Sequence, residues 1–496
     1  MKINQLPPDL QKFILPQPRA GLLYECLSCR SRFPADSLLH DCPSCGGLLV
    51  LNHREMPRLK ERPGQFWRDL FDYRLMINEN ALKGVFLYQE FLAPDIAPED
   101  VIYLGEGRTP LVQSPFPVDG RPFFVKLEGL NPSLSFKDRG MAAALSFVKS
   151  LIRTKGLKDV ICVCASTGDT SAAAALYAAS LGGDVKSAVL LPRGYVTAQQ
   201  LSQPLGYGAK VLELPGVFDD CMRVVEELAK NYQVALLNSK NPWRVLGQES
   251  YAYETAQQFD WDLAGKVLFA PVGNAGNITA ILSGLLKLRQ TGVLESLPKV
   301  VAVQSKHANP VYRYYRSIPQ QRRYEPVRVK PSVAQAAMIG DPVSMPRLRR
   351  LASLYAELGG IFTAVEATET AIMESMLEAN RGGLSVCTQG GVSLAGVKKA
   401  LEQELLDDNE IPVINSTAHP LKFMEFQTRY FNGDLDAYGI ETKPAFVNLP
   451  QALKPEGVKL PSAEDPLSPE EEKIYVKKAV REIAKLLELT PISEKD

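Results

Sequence analysis

Residues 160–181, VICVCASTGDTSAAAALYAASL, place a short apolar run directly before a stretch with helical character. The apolar run is continuous rather than alternating, which predicts a strand buried on both faces of a sheet. Similar runs recur at 186–192, 210–214, 234–238, 266–273, 300–304 and 412–417, each followed by helical or loop sequence. This alternation is typical of parallel sheets covered by helices, and its length predicts two doubly wound α/β domains.

The bulk composition is that of an ordinary globular protein. The chain has 496 residues, 45% of them hydrophobic, and its 56 basic residues balance its 56 acidic residues. A neutral chain has no general attraction to nucleic acid or to anionic membrane. Its N-terminus does not resemble a signal peptide, and no apolar run is long enough to span a bilayer. We therefore expect a cytoplasmic protein that binds neither nucleic acid nor membrane.

Four cysteines near the N-terminus form two Cys-x-x-Cys pairs, Cys26 with Cys29 and Cys42 with Cys45. Two such pairs can surround one tetrahedral Zn²⁺ with thiolates, whereas the alternative is four unligated surface thiols. Four Cys ligands leave no open coordination position, so the expected zinc is structural. The other four cysteines are scattered through apolar sequence, which is typical of a reducing compartment.

The predicted domain organisation has three parts. A small zinc ribbon covers 20–52, and an α/β core with two interleaved domains covers 53–445. The tail, 446–496, begins with Pro-rich sequence and ends in a helix that starts at Ser468, a good N-cap, followed by Pro469. An apolar stripe along this helix predicts that it docks against the rest of the protein.

One lysine stands at the start of a predicted amphipathic helix. The segment 131–140, NPSLSFKDRG, presents Lys137 where the helix dipole disfavours a cation. Such a position helps to lower the pKa of an amine, as imine formation requires. The alternative is a solvated lysine in a charged first turn.

Two loops between a predicted strand and a predicted helix have the composition of anion sites. The loop at 165–171 offers hydroxyls and backbone N–H groups at a helix N-terminus, where a carboxylate or phosphate can bind. The loop at 271–277 contains two glycines that let the backbone wrap around a phosphate. Either loop alone could be an ordinary helix cap. Together with Lys137 they favour a functional site.

Three short motifs, SFKDRG at 135–140, STGDT at 166–170 and GNAGN at 273–277, resemble the signatures of fold-type II pyridoxal phosphate (PLP) enzymes. Further stretches resemble the threonine synthases of that group: LGEGRTPL at 104–111, NSKNPWR at 238–244 and STAHPLKF at 416–423. The resemblance spans about residues 101 to 425. Some members of the family also carry a zinc ribbon ahead of the core, and the family leads us to expect a homodimer.

The resemblance implies which residues hold the cofactor. Lys137 would carry PLP as a Schiff base and shuttle protons, and Asp169 would face the pyridine 3′-oxygen. Thr388, in a segment where the expected hydroxyl is displaced, is the substitute for the group that contacts the ring nitrogen. The cofactor phosphate would be held by the residues of the second loop: Gly273, Asn274, Ala275, Gly276 and Asn277.

The resemblance also implies a substrate, a small phosphorylated amino acid. Ser166 and Thr167 would bind its carboxylate, and Asn238 and Arg244 would bind its phosphate. The planar guanidinium of Arg244 suits a phosphate, although a surface salt bridge is the commoner role of a lone arginine. The implied reaction converts O-phosphohomoserine and water into L-threonine and phosphate, which makes the enzyme a carbon–oxygen lyase.

Two other functions compete with this interpretation. Another enzyme on the same scaffold could be a dehydratase or a cysteate-synthase-like enzyme that uses phosphoserine. The pair Asn238 and Arg244 argues against a plain dehydratase but does not separate phosphoserine from phosphohomoserine. A zinc-ribbon nucleic-acid-binding protein on an inactive body is the alternative from another class, and the neutral charge argues against it.

Overall fold

The computed structural model describes residues 2–490 with the exception of Thr167, Asp184, 194–197 and 216–217. The chain divides into two compact units, Met1–Glu441 and Thr442–Asp496. The strands of the described part are β1 Leu22–Cys26, β2 Arg32–Pro34, β3 Leu49–His53, β4 Leu111–Gln113, β5 Phe124–Leu127, β6 Val160–Ala165, β7 Val185–Pro192, β8 Lys210–Leu214, β9 Val234–Leu236, β10 Lys266–Pro271, β11 Lys299–Ser305, β12 Phe362–Ala367 and β13 Ile411–Ser416.

The α-helices of the described part follow the same chain order. They are α1 Pro8–Gln11, α2 Met56–Leu59, α3 Gly64–Arg74, α4 Gln89–Leu92, α5 Lys137–Lys155, α6 Asp169–Ala179, α7 Ala198–Gly206, α8 Phe218–Asn231, α9 Pro242–Gln248, α10 Ser250–Gln258, α11 Gly276–Gln290, α12 Pro310–Tyr315, α13 Met345–Glu357, α14 Glu369–Arg381, α15 Thr388–Glu402, α16 Met424–Asn432 and α17 Pro469–Leu486.

Two sheets form the α/β core of the first unit. The larger has the strand order β12-β11-β10-β13-β5-β4, and the smaller has the order β8-β7-β6-β9. All neighbours are parallel except β4, which pairs antiparallel with β5 at the edge of the larger sheet. Strands β6 to β9 lie between β5 and β10 along the chain, so the smaller sheet is inserted into the larger. The predicted parallel α/β architecture is confirmed, and the antiparallel edge strand is an addition to it.

The cysteine-rich segment forms a third, antiparallel sheet with the order β2-β1-β3. The side chain of Tyr24 on β1 is 1% exposed, because the ribbon packs against the core at this point. Its hydroxyl accepts a hydrogen bond of 3.0 Å from the indole N–H of Trp243 on α9. The ribbon is therefore joined to a helix that also borders the candidate site described below.

Helices α5 and α9 cross at two glycines. A Cβ atom at Gly140 would lie 2.7 Å from the carbonyl oxygen of Arg244, and one at Gly247 would collide with the carbonyl oxygen of Arg139. Only glycine leaves enough room for two backbones to approach this closely. The crossing places the start of α5, with Lys137, beside the middle of α9, with Arg244.

A buried network of charges fixes α5 to its surroundings. The guanidinium of Arg139 donates to Glu128 at 2.7 Å and to Glu254 at 2.9 Å, and Lys126 also pairs with Glu254. All four side chains are at most 3% exposed. Burial alone would raise the pKa of Glu254, but Arg139 and Lys126 together lower it below its usual range. The network joins β5, α5 and α10 over more than a hundred residues of chain.

The second unit contains α17. Its N-cap, Ser468, accepts a hydrogen bond of 3.3 Å from the backbone N–H of Glu471, whose carboxylate in turn accepts one of 2.8 Å from the Ser468 N–H. This capping box confirms the predicted helix start. The apolar stripe is exposed in this structure, for example at Val480, so docking of the helix stays a prediction. In the described part of the chain, we find no helix with the length and apolar character needed to cross a membrane.

We predict that Gly247→Ala destabilises the protein, since the new methyl group meets the backbone of α5. Overpacking of this kind costs about 1–3 kcal/mol, measured as the free energy of unfolding in urea. Gly206→Ala is the matched control, because a Cβ atom at Gly206 meets nothing within 4 Å at the end of α7. Equal stability of the two variants would contradict the close crossing of α5 and α9.

Candidate active site

A cavity of about 570 Å³ opens where the carboxyl ends of β6 and β10 meet the start of α5. Ligands in parallel α/β folds bind at this edge of the sheet. The cavity is lined by residues from four separate segments that the sequence analysis selected: Lys137, Ser166, Asp169, Asn238, Arg244, Gly273, Asn274, Ala275, Gly276 and Asn277. Thr167 lies outside the described residues.

Lys137 is the first residue of α5, and its Nζ lies 4.1 Å from the ring centroid of Phe136. Burial lowers the pKa of the Lys137 amine to about 7, and the nearby guanidinium of Arg244 acts in the same direction. A large part of this amine is therefore unprotonated near neutral pH. These surroundings differ from those of a solvated lysine and suit a nucleophile or a base.

The turn that carries Lys137 is held by the end of β13. The backbone N–H of Phe136 donates to the carbonyl oxygen of Thr417 at 3.0 Å, and the N–H of His419 donates to Leu134 at 3.0 Å. Within the turn, Asp138 accepts a hydrogen bond of 2.6 Å from the N–H of Ser133. Backbone contacts on both sides thus position the amine before any ligand is present.

The loop at 273–277 forms a cradle of backbone N–H groups ahead of α11. In the described part of the chain, the N–H groups of Gly273, Asn274 and Ala275 have no hydrogen-bond acceptor. Ala275 adopts a left-handed conformation with φ 59°, and a Cβ atom at Gly273 would lie 2.9 Å from Cα of Ala337. The carbonyl oxygen of Asn274 accepts from the N–H of Ser344 at 3.1 Å. The loop is therefore anchored while its donors face the cavity, as an anion site requires.

Arg244 supplies a second place for an anion. It is 2% exposed, and among the described residues it forms no ion pair with a carboxylate. One Nη donates to the carbonyl oxygen of Leu237 at 2.8 Å, while Nε has no partner. Burial lowers the pKa of the guanidinium to about 10, the cost of holding a cation away from water. The surface salt bridge considered from the sequence is therefore not what the structure contains.

Asn238 lies beside Arg244, but its amide is largely occupied. Its Oδ1 accepts from the N–H of Ala165 at 3.0 Å, and its Nδ2 donates to the carbonyl oxygen of the same residue at 2.5 Å. These two bonds join the segment after β9 to the end of β6. Asn238 therefore shapes the cavity wall and retains one amide hydrogen for a ligand.

Asp169 begins α6 and is 5% exposed. Its carboxylate pairs with Nζ of Lys422 at 2.9 Å, and the same ammonium donates to the carbonyl oxygen of Ser133 at 2.9 Å. Ser166 accepts a hydrogen bond of 3.3 Å from the N–H of Gly168. Lys422 was not selected as a site residue from the sequence, because nothing in a single lysine after a predicted strand indicates its partner.

Thr388 is not among the residues that line the cavity. It is fully buried at the start of α15, and its hydroxyl has no hydrogen-bond partner in the described part of the chain. Thr417, directly after β13, lines the cavity instead. The sequence could have indicated Thr417, because it directly follows a predicted parallel strand, and ligands bind at the carboxyl ends of such strands. The segment 335–339 also lines the cavity, but it follows no strand and had no such signal.

The four cysteines of the ribbon converge at a separate place. Their Sγ atoms all lie within 4.8 Å of one another, with 3.5 Å between Cys26 and Cys45 and 3.6 Å between Cys29 and Cys42. The N–H of Ser28 points to Sγ of Cys26 at 3.4 Å. Four thiols in this arrangement have the donor set of a tetrahedral metal site.

We predict that the Lys137 amine reacts with an acylating reagent with a pH midpoint of about 7 in the cofactor-free protein. Peptide mapping by mass spectrometry measures the midpoint, and the exposed Lys155 is the internal control. Arg244→Met should move the midpoint of Lys137 upward, since it removes a neighbouring positive charge. A midpoint for Lys137 near the ordinary pKa of a solvated lysine, about 10.4, would contradict the buried amine.

Comparisons with known proteins agree with this geometry. A family model described as pyridoxal-phosphate dependent enzyme matches residues 102–417. Threonine synthase from Methanocaldococcus jannaschii is 35% identical over 81% of this chain and 93% of its own length. The chloroplastic threonine synthase 2 of Arabidopsis thaliana is 34% identical over 82% of this chain and 78% of its own length.

The fold is also similar to a solved structure. The crystal structure of threonine synthase from Escherichia coli superimposes with a TM-score of 0.61 and 20% sequence identity, over 86% of this chain and 93% of that one. At this identity the likeness concerns the fold alone. Taken with the match of the family model and the coverage of the two relatives, it leads to one assignment. The chain belongs to the pyridoxal-phosphate-dependent enzymes and, within them, to the threonine synthase family.

Proposed function

We propose that this chain catalyses the threonine synthase reaction, converting O-phosphohomoserine and water into L-threonine and inorganic phosphate. The observation that carries the proposal is the buried, uncompensated Arg244 in the same cavity as Lys137 and the N–H cradle at 273–277. A reaction with a phosphorylated cofactor and a phosphorylated substrate needs two anion sites around one amine. An enzyme whose amino-acid substrate carries no phosphate would have only the substrate carboxylate to place at Arg244, and we propose Ser166 and Thr167 for that group.

The residues of the cavity fit PLP. The cradle at 273–277 offers free N–H groups to its phosphate, and Lys137 offers an unprotonated amine to its aldehyde. Nδ2 of Asn277 and Oε1 of Gln248 are buried on cavity-lining residues without a hydrogen-bond partner, which is expected of groups that await a ligand. When bound, PLP supplies an electron sink for the substrate carbon atoms.

Each side chain then has a separate task. Lys137 would hold the cofactor covalently, and in the reaction its Nζ accepts the proton from the substrate Cα. Arg244 holds the substrate phosphate and stabilises the charge that develops as the bond to Cγ breaks. Ser166 and Thr167 bind the substrate carboxylate, with Asn238 forming the adjacent wall. A second proton leaves Cβ as the C–O bond at Cγ breaks and phosphate departs with the bonding electrons. Cγ then gains a proton to become the methyl group, the hydroxyl of water adds at Cβ, and Cα regains a proton.

Two further residues would hold the pyridine ring of the cofactor. Asp169 would contact its 3′-oxygen, and the ion pair with Lys422 keeps the Asp169 carboxylate in place. For the contact to the ring nitrogen we propose Thr417, which lines the cavity, in place of Thr388, which does not. A neutral hydroxyl at this position suits an unprotonated ring nitrogen.

We further propose that Cys26, Cys29, Cys42 and Cys45 hold a structural zinc ion, supported by the convergence of their Sγ atoms. Measurement of zinc per chain in the purified protein tests this.

The resemblance to the family also supports a cytoplasmic homodimer. Sedimentation equilibrium tests the oligomeric state.

We predict that the purified protein releases phosphate and forms threonine from O-phosphohomoserine, and that Arg244→Met lowers kcat/KM roughly 100-fold. The reason is the loss of a buried charge-assisted contact to the phosphate, worth about 2.7 kcal/mol. Arg481→Met, an exposed arginine on α17, is the matched control and should retain activity. The same protein is assayed in parallel with phosphoserine and sulfite as substrates. Turnover of phosphoserine without turnover of phosphohomoserine would overturn the proposal.

We predict that the purified protein binds PLP and shows an absorption band in the visible range, a property of the cofactor itself. Borohydride reduction followed by peptide mapping should place the cofactor on the peptide that contains Lys137. Lys137→Ala should lose both the band and the label. A yellow Lys137→Ala protein with a reducible cofactor would refute the assignment of this lysine.

A further inference from the structure

A second cavity, of about 390 Å³, lies between the zinc ribbon and the α/β core. Strand β3 of the ribbon forms one wall, and helices α9, α11 and α13 form the others. Its volume corresponds to roughly a dozen water molecules at about 30 Å³ each, enough for a small organic molecule. None of the residues assigned to the cysteine cluster lines it.

Some of the cations around this cavity have a carboxylate partner, and one does not. Lys287 pairs with Glu249 at 2.6 Å, and Arg350 pairs with Glu25 at 3.1 Å. Arg347, in contrast, is 2% exposed and forms no ion pair among the described residues. Arg347 is therefore the cation of this cavity whose charge no carboxylate of the described residues neutralises.

The hydrogen bonds of Arg347 go to neutral oxygen atoms. One Nη donates to the carbonyl oxygen of Ser239 and to Oγ of Ser344, both at 3.2 Å, and the other donates to the carbonyl oxygens of Lys240, at 2.7 Å, and of Leu49. Nε has no partner. Burial lowers the pKa of Arg347 to about 9, and Asp41, which opposes this, is itself paired with Lys240 at 3.3 Å. An anion nearby would relieve the cost of the buried charge.

His53 adds a second unsatisfied group. It is 8% exposed and lines the cavity, and its Nε2 lies 2.8 Å from the carbonyl oxygen of Glu90. Nε2 must therefore carry the proton in the neutral ring, which leaves Nδ1 as an acceptor without a partner. Burial lowers the pKa of His53 to about 3, so the ring is neutral at physiological pH. A ligand with one donor group would satisfy it.

Most of the remaining wall is apolar, although four polar side chains also line it: Asn52, Thr279, Ser283 and Gln290. The apolar part comes from the ribbon, α2, α9, α11 and α13, among others from Leu51, Met56, Leu246, Leu286, Leu351 and Leu354. Aliphatic side chains on four sides favour an aliphatic body rather than a second charge. The combination describes an amphipathic molecule with one acidic group.

This cavity shares a wall with the candidate active site. Val245 on α9 lines both cavities, while the adjacent Arg244 faces the first and Leu246 faces the second. Arg347 also holds the carbonyl oxygens of Ser239 and Lys240, in the segment that leads from Asn238 into α9. A ligand that draws Arg347 toward itself would therefore act on the segment that positions Arg244.

We propose that the cavity between β3, α9, α11 and α13 is an effector site for a small organic acid with an aliphatic body, and that its occupancy changes the affinity of the substrate site through α9. The binding of the acid is inferred from the second cavity alone. Its effect on the substrate site rests on the proposed function, since that effect concerns the substrate phosphate at Arg244.

The test uses the full-length holoenzyme and two matched probes. N-acetyl-L-leucine carries a carboxylate, an aliphatic body and one N–H donor, and N-acetyl-L-leucinamide has the same shape without the charge. Isothermal titration calorimetry should show saturable binding of the acid, with the amide roughly tenfold weaker because the charge-assisted contact is lost. Leu354→Trp, which fills the cavity, should abolish binding. Leu358→Trp, an exposed position on the same helix end, should leave it unchanged.

A second variant separates charge from shape. Arg347→Gln removes the charge and should weaken binding of the acid but not of the amide, provided that its thermal unfolding matches the wild type. If that variant does not fold, the comparison of acid and amide on the wild type decides the question of charge. No saturable binding of the acid, equal binding of acid and amide, or binding retained in Leu354→Trp would each overturn the site.

The coupling is measured separately. Saturating N-acetyl-L-leucine should change the KM for O-phosphohomoserine at least about fivefold, the lower end of usual coupling between two sites. The change should be absent in Leu354→Trp. If calorimetry shows binding of the acid but the KM is unchanged, the coupling to the substrate site is wrong and the binding site itself is retained. An absence of turnover with phosphohomoserine would instead overturn the proposed function, without affecting the calorimetric result.

Discussion

The backbone contact between α5 and α9 is the constraint on which the rest of the site depends. Gly140 and Gly247 let the two helices approach until backbone meets backbone. Lys137 and Arg244 each lie three residues before one of these glycines and line the same cavity, so the helix crossing brings them together. The proximity of Arg244 contributes to the lowered pKa of the Lys137 amine, which makes the crossing a chemical as well as a structural feature.

Buried cations in this protein fall into two groups. Arg139 is neutralised by Glu128 and Glu254, so it stabilises the fold and has no capacity left for a ligand. Arg244 and Arg347 are equally buried, yet they bond only to neutral oxygen atoms and retain an unpartnered Nε. A buried charge without a counter-charge is costly, and both of these cations line cavities. Both arginines without a counter-charge are the ones for which we propose an anionic ligand, whereas the paired Arg139 stabilises the fold.

The loops of the site could be predicted because their function depends on local backbone properties. A strand followed by glycines and a helix start predicts an anion cradle, and residues 273–277 form one. The residue that we propose for the contact to the ring nitrogen could not be identified in the same way. Thr388 and Thr417 are both threonines close to predicted elements, and only the packing of β13 against the start of α5 brings Thr417, and not Thr388, to the cavity.

The sequence by itself determined the α/β class and the cysteine spacing of the ribbon, and it selected Lys137 as the proposed cofactor lysine, because these follow from short-range periodicity and motifs. Only the tertiary structure decided that Arg244 lacks a carboxylate, that Asp169 pairs with Lys422, and that α9 separates two cavities. The physical reason is that burial and charge pairing depend on neighbours brought together from distant parts of the chain. Asp169 and Lys422 lie more than two hundred residues apart in sequence and 2.9 Å apart in space.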